Sequence, residues 1–163
     1  MNASSLIAPL SKIPIDWLVL GTIFIVLVAL TLRSGSRVVC SLSLSLPLAL
    51  FFSQVLPSAF LLGPMSAQFA TISAQAALFG LMFLVSLFLS YRIVGPDIGG
   101  GASPLQSILV ALAGTAIGVV CWLQVPALET FWHVGPLVRS IFAPEYRLWW
   151  TVGGLLLLTL ARF

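Results

Sequence analysis

Charge is what this sequence has least of. Eleven of its 163 residues are Asp, Glu, Lys or Arg, only 7%, where soluble domains carry about 25%. A water-facing surface cannot be built from so few, which excludes an ordinary soluble domain. The seven cations are scattered rather than clustered, so the net charge of +3 leaves no nucleic-acid footprint. Histidine occurs once, which excludes a bis-histidine haem site within one chain. Cys40 and Cys121 each lie in an apolar run and read as small buried hydrophobes rather than a disulfide or metal pair.

The four acids, Asp16, Asp97, Glu129 and Glu145, all fall at the ends of apolar runs or between them. No run holds an ionisable group near its middle, where proton and ion transporters usually keep one. That argues against a self-contained pump. No nucleophile–base pair and no metal-ligand cluster is apparent, so the reading is non-enzymatic and without a cofactor. The stretch "GPDIGGGASP" at 95–104 lacks the Gly-Lys-Ser/Thr ending of a phosphate loop and reads as a flexible connection.

What is present is hydrophobicity, at 60% of residues. The fold class expected is an all-α polytopic membrane protein of four or five spans, one integral-membrane domain over 1–163. The first span, 13–32, includes sixteen uncharged residues between Asp16 and Arg33. As a helix it covers roughly 30 Å, the thickness of a bilayer core. A cleaved signal peptide is not expected, because no cation precedes Lys12 and no small-x-small cleavage site follows the run.

The second span is 38–56. Its Ser/Leu alternation at 41–46 imitates a strand, but one such run cannot close a barrel and an open edge cannot sit in lipid. As a helix it places Ser41 and Ser45 on one face, bonded back to carbonyls or to a neighbour. Pro47 is expected to kink it. Residues 57–70 read as a loop or a surface helix, and 71–94 as the third span. The fourth span is 105–123, bounded by Pro104 and Pro126.

Residues 125–147 hold His133, three prolines and four of the charges, and read as one or two short interfacial helices. Phe131, Trp132, Ile141 and Phe142 are expected to turn toward lipid. The last apolar segment, 148–161, has 14 residues, about 21 Å as a helix. It crosses only if the bilayer thins or Arg147 and Arg162 snorkel.

Asp16, Trp17, Arg33, Arg37, Tyr91, Arg92, Trp149 and Trp150 sit at span ends and read as membrane anchors. Asp16, Arg33 and Arg37 could instead contact a partner or neighbouring spans. Arg33 and Arg37 share a five-residue loop, which the positive-inside rule places in the cytoplasm, so the N-terminus is expected outside. In the fourth span Ser107, Ala111, Gly114 and Gly118 form a stripe of small residues, the pattern that lets helices pack closely in lipid. Isoleucine at either glycine should therefore destabilise, while Val110 on the adjoining surface should tolerate it.

The first segment resembles the opening span of the colicin V production (CvpA) family, small bacterial inner-membrane proteins usually with four spans. Members typically start with an Asp and an aromatic residue, then a glycine, and reach an arginine-glycine turn one span later. Asp16, Trp17, Gly21, Arg33, Gly35 and Arg37 occupy similar places, and Gly114 and Gly118 resemble the glycine-x-x-x-glycine of the family's last span. Ser34 between Arg33 and its glycine, Thr115-Ala116-Ile117 where the family often has an arginine, and the Leu-rich fifth segment depart from it. The resemblance implies an inner-membrane accessory or scaffold protein linked to envelope homeostasis or toxin export. Its partners would be the lipid bilayer and a protein or a second copy, with no nucleic acid. A small subunit of a larger complex and an oligomeric channel or carrier are the alternatives.

Overall fold

The computed structural model describes residues 14–56, 71–95 and 103–161. The 57–70 connection, most of the 95–104 loop, Lys12, Asp97 and Arg162 lie outside the described residues. Those described form seven helices and no strand: α1 (Ile15–Ser34), α2 (Ser36–Val55), α3 (Ile72–Ile93), α4 (Pro104–Gln124), α5 (Pro126–Glu129), α6 (Pro136–Ile141) and α7 (Arg147–Leu160). The first four are long and apolar enough to cross a membrane, while α7 is a shorter apolar helix. The chain is an all-α polytopic membrane protein in architecture.

Helix starts follow local chemistry. Pro14 sits at the N-cap of α1. Thr71 Oγ1 accepts from the Ala74 N–H at 3.3 Å to cap α3. Ser103 Oγ accepts from Gln106 N–H at 3.2 Å, with Pro104 as the first residue of α4.

The turn between α1 and α2 differs from expectation. It is not a five-residue loop but one residue, Gly35, with φ 79° and ψ 165°. Only glycine enters that region without a Cβ clash, so one residue separates the helices and both Arg33 and Arg37 are helical. α2 contains Pro47 within its length.

α4 is the centre of the bundle and packs against α1, α2 and α7, while α3 packs on the outer side of α2. The main core joins Leu27 of α1, Val39 of α2, Val110, Ala113, Ile117 and Cys121 of α4, and Leu158 of α7. Two smaller clusters seat the short helices: Val134 and Val138 lie against Leu20, Val119 and Leu123, and Ala127 joins Phe79 and Ala49.

The polarity of this bundle is that of a protein in lipid. Ile25, Leu84, Phe88 and Ile93 face outward, whereas Thr31, Ser36, Ser41, Ser43, Ser45, Ser86, Ser90 and Ser107 are buried. In hydrocarbon there is no solvent to reward outward polar groups, and small side chains bring helices close.

The chain's two ends are distinct. One, the Asp16 end, carries the start of α1, α5, α6 and the start of α7. The other, the Arg37 end, carries the α1–α2 turn and the end of α3. α7 runs antiparallel to α4. Its N-terminal Arg147 shares a cavity with Gln124, and the Ala161 carbonyl beyond its last turn accepts from Gln106 Nε2.

Candidate functional site

Ser107, Ala111 and Gly114 of the α4 stripe are buried and Gly118 is half-buried, so its members are unequal. A Cβ added at Gly114 would lie 2.7 Å from Ser43 Oγ, 3.3 Å from Leu27 Cδ1 and 3.8 Å from Val39 Cγ1. Here glycine is required by close approach. A Cβ at Gly118 would meet only Leu46 Cδ1, at 3.9 Å, an ordinary contact. Gly118 is therefore not a point of close approach, because Leu46 stands off from it. Ala111 is fully buried, and Ser107 Oγ donates to Ser103 O at 3.2 Å. Val110 is fully buried in the main core, so it does not lie on a tolerant surface as expected.

Ser36, Ser41, Ser43 and Ser45 of α2 are buried, while Ser53 is half-buried. Ser41 donates to Arg37 O at 2.8 Å and Ser45 to Leu42 O at 2.7 Å. Ser43, between them, is also fully buried and donates to Val39 O at 2.7 Å. It is Ser43 that meets Gly114, because α2 lies between α3 and α4 and so buries more than one face.

Two close approaches carried no sequence signal of their own. A Cβ at Gly154 of α7 would stand 2.8 Å from Ile117 Cγ1, so this glycine sets the α4–α7 distance. The second is at the Asp16 end. Asp16 Oδ2 accepts from the Gly135 N–H at 3.1 Å, and a Cβ at Gly135 would overlap that carboxylate. Asp16 thus ties the start of α1 to the start of α6, a contact between neighbouring elements in addition to its position at a span end.

Around it lies an aromatic shelf. Trp122 Nε1 donates to Trp132 O at 3.1 Å, with ring centroids 5.7 Å apart. Trp150 Nε1 donates to Ile141 O at 2.9 Å and its ring lies 4.9 Å from Phe142. Phe131 and Ile141 are exposed as expected, but Trp132 and Phe142 pack inward, drawn by Val134 and Val138. Trp17 and Trp149 are exposed. Arg139 pairs with Glu129 at 3.1 Å.

At the other end Arg37 Nη2 donates to Tyr91 O at 2.8 Å, and its guanidinium carbon lies 4.2 Å from the centre of the Tyr91 ring. The bond satisfies a carbonyl in the last turn of α3, which no i+4 amide can reach. Arg33 and Arg92 are exposed in the last turns of α1 and α3, where a cation suits the helix dipole. Asp16 and the two arginines of the turn thus stand at opposite ends.

Every Asp, Glu and Arg among the described residues sits at a helix end or in a connection, and no three of His, Cys, Asp or Glu come together there. Cys40 and Cys121 form no disulfide. What the geometry can do chemically is hold helices at fixed separations and present two polar ends to a membrane surface. These features define a polytopic helical membrane protein. Comparison of the chain with protein-family models, curated proteins and solved structures gives no match.

Proposed function

We propose that the chain is a non-enzymatic accessory or scaffold protein of the bacterial inner membrane, of the kind its colicin V production resemblance implies. The observation that carries this reading is the interior of the bundle. α4 buries Ala111, Ala113, Gly114 and Ile117 against neighbouring helices, and the buried hydroxyls of Thr31, Ser41, Ser43, Ser45 and Ser107 bond to carbonyls of their own chain. A bundle whose central helix is packed in this way favours support over transport.

A second reading, a small subunit of a larger complex, draws on a groove between α1, α4 and α7. Leu112 and Ala116 line its floor, and Gly21 and Gly153 stand on its walls with nothing within 4 Å of an added Cβ. An apolar groove with two glycines among its aromatic walls suits a partner helix.

Orientation follows from charge. Among the described residues the Arg37 end holds Arg33, Arg37 and Arg92 and no acid, while the Asp16 end holds Arg139 and Arg147 with three acids. The positive-inside rule then favours the Arg37 end in the cytoplasm and the N-terminus outside.

Reconstitution tests the proposal. Liposomes holding the purified protein should leak protons and potassium no faster than empty ones. Protein-dependent flux would refute the scaffold reading and favour the oligomeric channel. A protein retained at fixed stoichiometry through size exclusion in mild detergent would favour the subunit.

A further inference from the structure

Two cavities lie in a row along the seam where α2 and α7 face each other. Both helices pack on α4, and few of their residues meet directly. The first cavity, of about 560 Å³, is at the Asp16 end and is walled by Gln54, Gln124 and Arg147. The second, of about 180 Å³, is more enclosed and apolar, and is walled by Cys40, Leu44, Leu155 and Leu158. On α7, Arg147, Thr151, Leu155 and Leu158 follow one another at three- and four-residue steps; on α2, Gln54 and Leu50 are four apart, as are Leu44 and Cys40, and the two pairs lie within about 120° of each other around the helix. The α7 set is therefore one helix face.

The charges of the first cavity are one-sided. Arg147 uses Nε on the Phe142 carbonyl at 3.2 Å, and no acid among the described residues lies within ion-pair distance of it. No acid lines the cavity, and Gln54 and Gln124 add two amides. A guanidinium beside amide donors is the chemistry that holds a phosphate. From Arg147 to Leu155, where the apolar cavity begins, the helix rises about 12 Å, a distance one acyl chain can cover, and the cavity continues to Ser36 and Ala161 at the Arg37 end.

We propose that this seam holds one anionic phospholipid, its phosphate on Arg147, Gln54 and Gln124 and one acyl chain laid between α2 and α7 into the apolar cavity. An anionic headgroup is selected because nothing in the cavity pairs with the cation of a choline or ethanolamine.

Native mass spectrometry of the intact protein in non-ionic detergent tests it, with phosphatidylglycerol and phosphatidylcholine as probes. Phosphatidylglycerol should bind about tenfold more tightly, because the choline cation of phosphatidylcholine would lie near the Arg147 guanidinium with no acid to offset the repulsion. Arg147→Gln should abolish the preference, whereas Arg139→Gln should keep it, because Arg139 is paired with Glu129 elsewhere. Leu44→Phe, which narrows the apolar cavity far from the arginine, should weaken phosphatidylglycerol binding even if Arg147→Gln fails to fold. Excess inorganic phosphate should leave the lipid adduct in place. Equal binding of the two lipids, a preference that survives Arg147→Gln, an unchanged Leu44→Phe, or displacement by phosphate would each overturn the proposal.

Discussion

Alanine at Gly118 should raise stability, while alanine at Gly114 should leave it unchanged or lower it. In an exposed helix alanine is about 1 kcal/mol better than glycine, and at Gly118 nothing opposes that gain, since the new methyl meets Leu46 at 3.9 Å. At Gly114 the methyl would arrive 2.7 Å from Ser43 Oγ. Either Ser43 turns away and gives up its 2.7 Å bond to Val39 O, or α2 and α4 separate. Overpacking of this kind costs about 1–3 kcal/mol, which cancels or exceeds the helix gain. The two variants should therefore differ by about 1–3 kcal/mol, and in a chain of this size each kcal/mol moves Tm by about 2–4 °C. Tryptophan fluorescence during thermal unfolding in detergent reads this directly. Ser43→Ala removes the oxygen in the way, so the double variant Ser43→Ala/Gly114→Ala should recover stability relative to the sum of the single changes. Equal Tm for the two glycine variants, or additivity within about 0.5 kcal/mol in the double cycle, would refute the close approach.

The same melting assay carries two further predictions. Asp16→Ala frees the Gly135 amide and should cost about 1 kcal/mol, as loss of a helix cap does, while Asp16→Asn keeps an acceptor and should cost less; equal losses would show that the 3.1 Å bond is unimportant. Ser86 Oγ is buried with no hydrogen-bond partner, so Ser86→Ala removes an unsatisfied group and should leave Tm unchanged or raised by the equivalent of ~1 kcal/mol; a clear fall would mean the hydroxyl is engaged. For orientation, a cysteine at the exposed position Ser34 should react with an impermeant maleimide only once the cytoplasmic side is opened; labelling of intact cells would reverse the assignment.

The spans were legible because lipid demands about 20 apolar residues in succession, and α1 to α4 supply that. Their ends moved by one or two residues, because caps such as Ser103 and the conformation of Gly35 decide them rather than hydropathy. The small-residue stripe was legible as a stripe, but which glycine needed its missing Cβ was not. That depends on the side chain opposite, Ser43 at Gly114 and a distant Leu46 at Gly118. Asp16 and Gly135 are 119 residues apart and share no periodicity. The inward turn of Trp132 and Phe142 depends likewise on Val134 and Val138, whose neighbours come from α1 and α4.

The position of α4 bears on how the protein is made. α1 and α2, joined through Gly35 alone, form a tight hairpin. Yet α1 buries Leu20 and Leu27 chiefly with residues of α4, and Ser43 and Val39 of α2 close on Gly114. Until residues 104–124 are synthesised and inserted, the hairpin has its small, hydroxyl-bearing face open to lipid. A nascent chain stopped after α3 would carry three helices without the one that two of them pack around. Assembly therefore waits on the fourth helix, and α7 can dock only after it, since its Gly154 has no surface to meet before Ile117 is in place.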